Sequence, residues 1–492
     1  MACAEHGQSV RRSDPGTDDG IRAPTAAPPR RRPTLELVST GEEISGGTAA
    51  EIAESVRTLV DRGDLAPGDP LPPVRALAAR LGIHRNTAVA AYRTLAGAGI
   101  VVTQGRAGTR VAARSRLPQE GFAAAPAGTH PAGASGAAGA LRDLGSGNPD
   151  PALIPDLSPA LAGAVGRPVL YGEPVIDPDF EAWARSWMAP DVPTGEAVRL
   201  TLTSGAVDAI ERLLAQALVR DDAVALEDPC FLASIQTVRH AGYRAIPVPV
   251  DVEGMTADGL RAALEAGARA VVLTPRAQNP TGASLGAHRA EELRAVLAQH
   301  PYVLVIEDDY FSYLSRAPFR SVVGPEHRRW ALVRSVSKFL GPDLCLAVTA
   351  TDPETADRLA LRLSPGTTWV SHLLQRLAHG VLADDSAREL IARAGAQYAA
   401  RSAEAAALLT AHGIPVTAGD GMSLWVPVPR PAGEVAAELA RRGWRVRTGD
   451  EFRLVPGNPA DEASRHLRVT VHGLTAEEMT RLAAALEAAT RA

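Results

Sequence analysis

Between Thr48 and Gly63 the residues Ile52, Val56, Leu59 and Val60 recur at helical spacing, with polar and charged residues between them. A repeat near 3.6 residues places these four on one stripe of a helix that closes at Gly63. A shorter pattern follows through Val74, Leu77, Ala78 and Leu81, led by Pro72-Pro73 and stopped by Gly82, which predicts a second helix. A third begins after His84-Arg85-Asn86-Thr87, whose side chains suit a cap, and carries Val89, Tyr92 and Leu95 toward Gly97-Ala98-Gly99. Two helices joined by a tight glycine turn make a helix-turn-helix, the later helix turning Arg85, Asn86, Thr87, Ala90, Ala91 and Arg93 away from the core. Ile100-Val101-Val102-Thr103 and Thr109-Arg110-Val111 then flank a glycine-rich turn, the pattern of a two-stranded wing.

From Asp143 onward the texture is alternation. Apolar stretches of strand length occur at 198–203, 223–226, 268–273, 302–306, 330–333 and 346–350, with amphipathic helices at 207–219 and 287–299 between some of them. Such alternation predicts an α/β domain, a mostly parallel sheet covered on both faces, whose ligands sit at the carboxyl ends of strands. The predicted organisation is a disordered tail over 1–35, a winged helix-turn-helix over 36–113, a flexible linker over 114–142 and the α/β domain over 143–492. The tail is rich in Pro, Arg, Asp, Gly and Ala, and the linker holds almost no large apolar residue.

Composition changes this picture in four places. The length of 492 residues, with 46% hydrophobic and 22% charged, fits two or three soluble globular domains. No run of about 18 apolar residues is present, and the first residues lack the apolar segment of a secretory signal, so a cytoplasmic location without membrane insertion is expected. Cys3, Cys230 and Cys345 share no CxxC spacing, so neither a disulfide framework nor a zinc site is indicated. The net charge of -5 hides a local asymmetry: residues 36–116 hold ten arginines against eight acids, and beyond Asp69 every charge there is an arginine. Arginines gathered on the second and third helices and the wing suit contact with phosphates.

The run Gly-Asp-Leu-Ala-Pro-Gly-Asp-Pro-Leu-Pro-Pro-Val-Arg-Ala-Leu-Ala, followed by Leu-Gly-Ile-His-Arg-Asn-Thr and Ala-Tyr-Arg-Thr-Leu, resembles the DNA-binding domain of the GntR family of bacterial regulators. The resemblance implies binding to a double-stranded DNA operator through Arg75, Arg85 and Thr87, with Gly108 in the wing tip. Asn86, Arg93 and Arg106 are the other candidate DNA contacts on the same helix and wing. Pro73 stands where family members usually carry a small residue such as Ser.

The second chemical signal is Lys338, the only lysine in the chain. Arginine replaces lysine wherever a permanent positive charge is enough, but not where an amine must lose its proton and attack carbon. Lys338 closes the strand at 330–333 together with Ser335 and Ser337, and other chemical groups stand at neighbouring strand ends: Ser204-Gly205-Ala206, Phe231, Asn279, and Asp308 with Tyr310. A phosphate cradle, a ring to stack on, an amide, a carboxylate, a phenol and a lysine are together what pyridoxal 5'-phosphate requires. The chain from about 143 to 490 looks like a fold-type I, aspartate aminotransferase-like domain, with a large parallel-sheet part and a small C-terminal α+β part. Joined behind a GntR-like domain, it is similar to the MocR subfamily of transcriptional regulators.

The resemblance implies Lys338 as the Schiff-base lysine, Asp308 as partner of the pyridine nitrogen, Asn279 and Tyr310 on the ring hydroxyl, and Phe231 stacked on the ring. It implies Ser204, Gly205, Ala206, Ser335 and Ser337 around the phosphate, Tyr171 reaching in from a second subunit of a homodimer, and Arg468 gripping the carboxylate of an amino compound. One departure is plain: Cys345 stands where the family usually has a second phosphate-binding arginine, a loss of roughly 1.5 to 3 kcal/mol or about ten- to a hundredfold in affinity. The function expected is a transcriptional regulator that senses pyridoxal phosphate, an amino compound or both. The alternative is a working aminotransferase with an accessory DNA-binding arm.

Overall fold

A computed structural model describes residues 44–103, 108–112, 141–193, 198–363, 369–454 and 462–491. The tail over 1–35, the wing turn with Arg106 and most of the linker lie outside the described residues. The chain divides into two compact units, with Val111 ending one and Ala112 leading into the other.

In the first unit, helices α1 (Ala49–Arg62), α2 (Val74–Leu81) and α3 (Arg85–Gly97) occupy the predicted positions. Thr48 caps α1 through a reciprocal capping box with Glu51, and Gly63 ends it at φ 82°. That φ is strained for a residue with a Cβ, which is why glycine stops the helix there. At α3, His84 Nδ1 accepts from the amide of Asn86 at 3.2 Å, so the predicted cap is a histidine. The buried face of α3 is Ala88, Ala91, Tyr92 and Leu95. Ala91 is therefore core and not part of the outward face, because it stands three and four residues from Ala88 and Leu95 on the same stripe. Tyr92 Oη donates to Pro72 O at 2.7 Å and ties the start of α2 to α3. Val101–Thr103 and Thr109–Val111 pair antiparallel as the wing.

The second unit is built on an eight-stranded sheet. Its order across the sheet is Arg199–Thr203, Ala347–Thr351, Trp330–Ser335, Leu304–Asp308, Ala268–Leu273, Ala223–Asp228, Arg244–Asp251 and Gly254–Met255. Ala347–Thr351 runs antiparallel to both neighbours, Gly254–Met255 antiparallel to its own, and the remaining strands run one way. Successive residues of a strand face opposite sides. Val305 accordingly joins the core beneath helices Ala257–Glu265 and Ala287–Leu297, while Leu304 and Ile306 join the one beneath Ala206–Ala217 and Leu232–His240. Burial on both faces explains why the central strands read as mostly apolar runs without strict alternation.

A smaller core gathers the antiparallel strands Ser423–Pro427, His466–Thr470 and Arg447–Thr448 with helices Ala432–Arg441 and Ala476–Arg491. The linker predicted over 114–142 ends earlier than expected. Arg142 pairs in parallel with Trp444 in a two-residue strand, because Arg142-Asp143 supplies backbone groups to an edge of this smaller part. No helix among the described residues is long and apolar enough to cross a membrane.

Candidate functional site

The parallel strands deliver their carboxyl ends to one edge of the sheet, and the predicted chemistry collects there. Strand Trp330–Ser335 ends in a turn where Ser335 Oγ donates to Ser337 Oγ at 2.9 Å and accepts from the Ser337 amide at 3.1 Å. Phe339 and Leu340 are buried just beyond, so Lys338 is held between a hydrogen-bonded turn and an apolar anchor. Its Nζ donates to Gly147 O at 2.8 Å. One pocket is lined by Lys338, Asn279, Tyr310, Arg468, Gly147 and Met422, among others.

Asp308 ends the adjacent strand and is buried, with Oδ1 lacking any hydrogen-bond partner among the described residues. Burial, reinforced by the Asp309 carboxylate, pushes its carboxyl up to about 7. Asp309 goes the other way. Burial pushes it up, but hydrogen bonds from Arg276 and the charge of Arg334 outweigh that and hold it below the usual carboxylate range. Arg276 Nε donates to Asp309 at 2.7 Å, and Arg334 Nε reaches the other oxygen at 2.7 Å. Neighbouring carboxyls are thus separated into an anchored anion and one without a partner on one oxygen. A buried carboxylate oxygen of this kind calls for a charged donor, and a protonated pyridine nitrogen is such a donor, so the residues present fit the ring end of pyridoxal phosphate.

Asn279 Oδ1 accepts from Arg468 Nη1 at 3.0 Å, and Tyr310 Oη donates to Ala277 O at 2.6 Å. The Arg468 guanidinium also donates to Gly145 O at 2.6 Å and lies 4.9 Å over the Phe452 ring. Phe231 is half-buried at the start of helix Leu232–His240. Tyr171, 92% exposed, stands edge-on to Trp369 and does not line this chain's own pocket.

At the cradle, Gly205 takes φ 89° and leads into helix Ala206–Ala217. Two of its amides are already engaged: Ser204 N with Asp208 Oδ2 at 3.0 Å and Gly205 N with Thr203 O at 2.9 Å. The Cys345 thiol donates to Ser204 O at 3.4 Å, directly against this turn. Burial raises its pKa, with Asp208 and Asp343 adding to the rise, so a neutral group stands at the cradle.

On the DNA-binding unit Arg75, Arg85, Asn86 and Arg93 are exposed, Thr87 is partly so, and Gly108 opens the second wing strand at φ 85°. Sequence reasoning missed the Arg276–Asp309–Arg334 cluster, although an arginine inside the apolar run Leu332-Val333-Arg334 is itself a signal of a buried ion pair. It also missed the carbonyls of Gly145 and Gly147, which no side chain announces.

Residues 48–111 match bacterial regulatory proteins of the gntR family, and residues 141–486 match aminotransferase class I and II. The chain is 44% identical over 442 residues to the vitamin B6 salvage pathway transcriptional repressor PtsJ of Salmonella typhimurium, covering 90% of this chain and 98% of that one. It is 25% identical over 399 residues to the probable rhizopine catabolism regulatory protein MocR of Rhizobium meliloti, covering 74% and 77%. The chain is a MocR-type regulator of the GntR family. The fold of this MocR-type regulator's second unit is shared with the kynurenine aminotransferase of Pyrococcus horikoshii, at a TM-score of 0.63, 19% identity, and coverage of 72% of this chain and 92% of that one.

Proposed function

We propose that this MocR-type regulator senses pyridoxal phosphate in its aminotransferase-like unit and changes its hold on operator DNA accordingly. The observation that carries the reading is that Lys338, the chain's single lysine, and Asp308, a buried carboxyl with one oxygen unpartnered among the described residues, stand at the ends of neighbouring strands. Asp308 ends strand Leu304–Asp308 and Lys338 follows the end of the neighbouring strand Trp330–Ser335, Asn279 and Tyr310 line the same pocket as Lys338, and the similarity to a transcriptional repressor of vitamin B6 salvage favours a ligand of the vitamin B6 class.

When bound, the cofactor supplies an aldehyde for an amine and a pyridine ring that accepts electrons. Lys338 would provide the amine, Asp308 would keep the ring nitrogen protonated, and Asn279 with Tyr310 would hold the ring hydroxyl. Phe231 would cover the ring, and Ser204, Gly205, Ala206, Ser335 and Ser337 would face the phosphate. Arg468 would orient the carboxylate of an amino compound through its paired nitrogens. Such residues also permit a transamination half-reaction, but the neutral Cys345 and the engaged amides of Ser204 and Gly205 argue for an exchangeable cofactor and against sustained turnover.

Leu161, Val165, Leu170, Tyr171, Trp369 and Leu373 are exposed apolar residues. This surface favours a homodimer in which Tyr171 serves the partner's site. Arg75, Arg85, Asn86, Thr87, Arg93, Arg106 and Gly108 are the residues assigned to DNA, and a cytoplasmic location follows from that role.

The test is an absorbance titration of the full-length protein with pyridoxal phosphate. A visible band of bound cofactor is expected for the native chain and its loss for Lys338→Ala; a band that survives the substitution refutes the assignment.

A further inference from the structure

The chain enters the aminotransferase-like unit through residues 141–150, and Gly147 in this stretch lines the Lys338 pocket. Its attachments form a series. Arg142–Asp143 pair with Trp444–Arg445, Leu144 N donates to Arg445 O at 2.8 Å, and Leu144 O accepts from Thr470 N at 2.8 Å. Gly145 O accepts from Arg447 Nε at 2.8 Å and Arg468 Nη2 at 2.6 Å, and Gly147 O from Lys338 Nζ at 2.8 Å. Asn148 O meets His472 Nε2 at 2.8 Å, and Asp150 N donates to Tyr398 Oη at 3.0 Å. Leu144, Gly145, Gly147 and Pro149 are buried, so their carbonyls depend on protein donors rather than on water.

Two of those donors, Lys338 and Arg468, are the side chains assigned to the ligand. We propose that Leu144–Asp150 is a strap that reports occupancy of the Lys338 pocket to the DNA-binding unit: ligand capture of Lys338 removes the donor from Gly147 O and loosens the stretch of chain that leads back to that unit. The proposal rests on the reading that pyridoxal phosphate engages Lys338. In that engagement the neutral Lys338 nitrogen forms a C=N bond to the aldehyde carbon, and both its hydrogens leave with the aldehyde oxygen as water. At most one proton returns to the nitrogen, where the ammonium had three donors.

The geometry also says which ligand group works the strap. A carboxylate that draws Arg468 away leaves Gly145 O still bonded to Arg447, which is itself held by Glu451 at 2.9 Å. Gly145 is tightly seated as well, since a Cβ there would lie 3.1 Å from Arg447 Cγ and 3.3 Å from Asp143 Oδ1. Gly147 O takes its bond from the very nitrogen that the aldehyde consumes. The aldehyde is therefore the trigger, and an amino compound acts by adding to it.

The experiment is amide hydrogen exchange of the peptide spanning residues 141–151 in the full-length protein, with absorbance recorded on the same samples. Exchange is expected to rise about tenfold on adding pyridoxal phosphate to the native chain. Cofactor-free Lys338→Ala should exchange as fast without the ligand and no faster with it. Tyr398→Phe, which removes the oxygen that accepts from Asp150, should exchange faster without cofactor and lose most of the cofactor-dependent change in affinity for DNA from upstream of the gene. Unchanged exchange in cofactor-free Lys338→Ala overturns the strap, and so does a cofactor band without faster exchange in the native chain. Faster exchange in Tyr398→Phe with native DNA response overturns the link to the DNA-binding unit. If no band forms but Lys338→Ala still exchanges faster, the strap stands and the cofactor reading falls.

Discussion

Asp308→Asn is expected to stabilise the cofactor-free protein while weakening its hold on cofactor. Burial and the neighbouring Asp309 raise the Asp308 carboxyl to about 7, a rise worth about 4 kcal/mol against the ionised form. The sign follows from proton binding. The folded state holds this proton more tightly than the unfolded chain, so the favourable contribution is complete below the unfolded carboxyl range, near pH 4, and is lost as pH rises through about 7. Asparagine carries no charge at either pH, but its buried amide lacks a ready acceptor at a cost of about 1–3 kcal/mol. The net expectation at pH 8.5 is a gain of about 2 kcal/mol for the cofactor-free variant, vanishing or reversing at pH 5. Urea unfolding of both proteins at the two pH values, with and without pyridoxal phosphate, measures this directly. Added cofactor should restore the native chain's advantage, because only the carboxylate pairs with a protonated ring nitrogen. An asparagine variant less stable than the native chain at pH 8.5 without cofactor refutes the reasoning, as does a difference that does not depend on pH.

Three further outcomes follow from other parts of the molecule. Cys345→Arg places a guanidinium beside Ser204 O and should tighten pyridoxal phosphate about ten- to a hundredfold in an absorbance titration; unaltered affinity contradicts the assigned cradle. Arg334→Met leaves Asp309 with Arg276 alone and should cost about 3–5 kcal/mol in urea unfolding, whereas a loss under 1 kcal/mol would mean that the buried cluster contributes little. Arg85→Ala should weaken binding to upstream DNA by about 1–3 kcal/mol if it reads a base; a uniform loss with a salt slope smaller by about one would make it a phosphate contact, and no loss would remove it from the interface.

How much of this was legible depended on what each feature shows in a one-dimensional chain. Ala268–Leu273 and the first two helices are legible at their true positions, because a mostly apolar run, broken only by the exposed Arg269, and a capped amphipathic run each have a signature. Strand Arg244–Asp251 escaped, since Pro247 and Pro249 interrupt it and it lies toward the edge of the sheet, where lost amides are tolerated. The sequence pattern turns Ala91 outward although it is buried, because alanine carries no polarity to distinguish the two faces of α3. Lys338, Asn279, Tyr310 and Arg468 stand out in the sequence because each is a chemically distinct side chain in or beyond a strand, and the structure places all four around one pocket. The strap was invisible: its working groups are the carbonyls of Gly145 and Gly147, identical to every other carbonyl in the sequence. The separation of Asp308 from Asp309 was invisible too, because it depends on Arg276 and Arg334 arriving from other strand ends.

The central claim is that occupancy of the Lys338 pocket is transmitted to DNA binding. The most direct measurement is the affinity of the full-length protein for DNA from upstream of its gene, at fixed salt, over a titration of pyridoxal phosphate, with Lys338→Ala in parallel. The native chain should change its DNA affinity over the same concentration range in which the cofactor band develops, and Lys338→Ala should show neither change. A native protein whose cofactor band saturates while its DNA affinity stays constant would contradict the account.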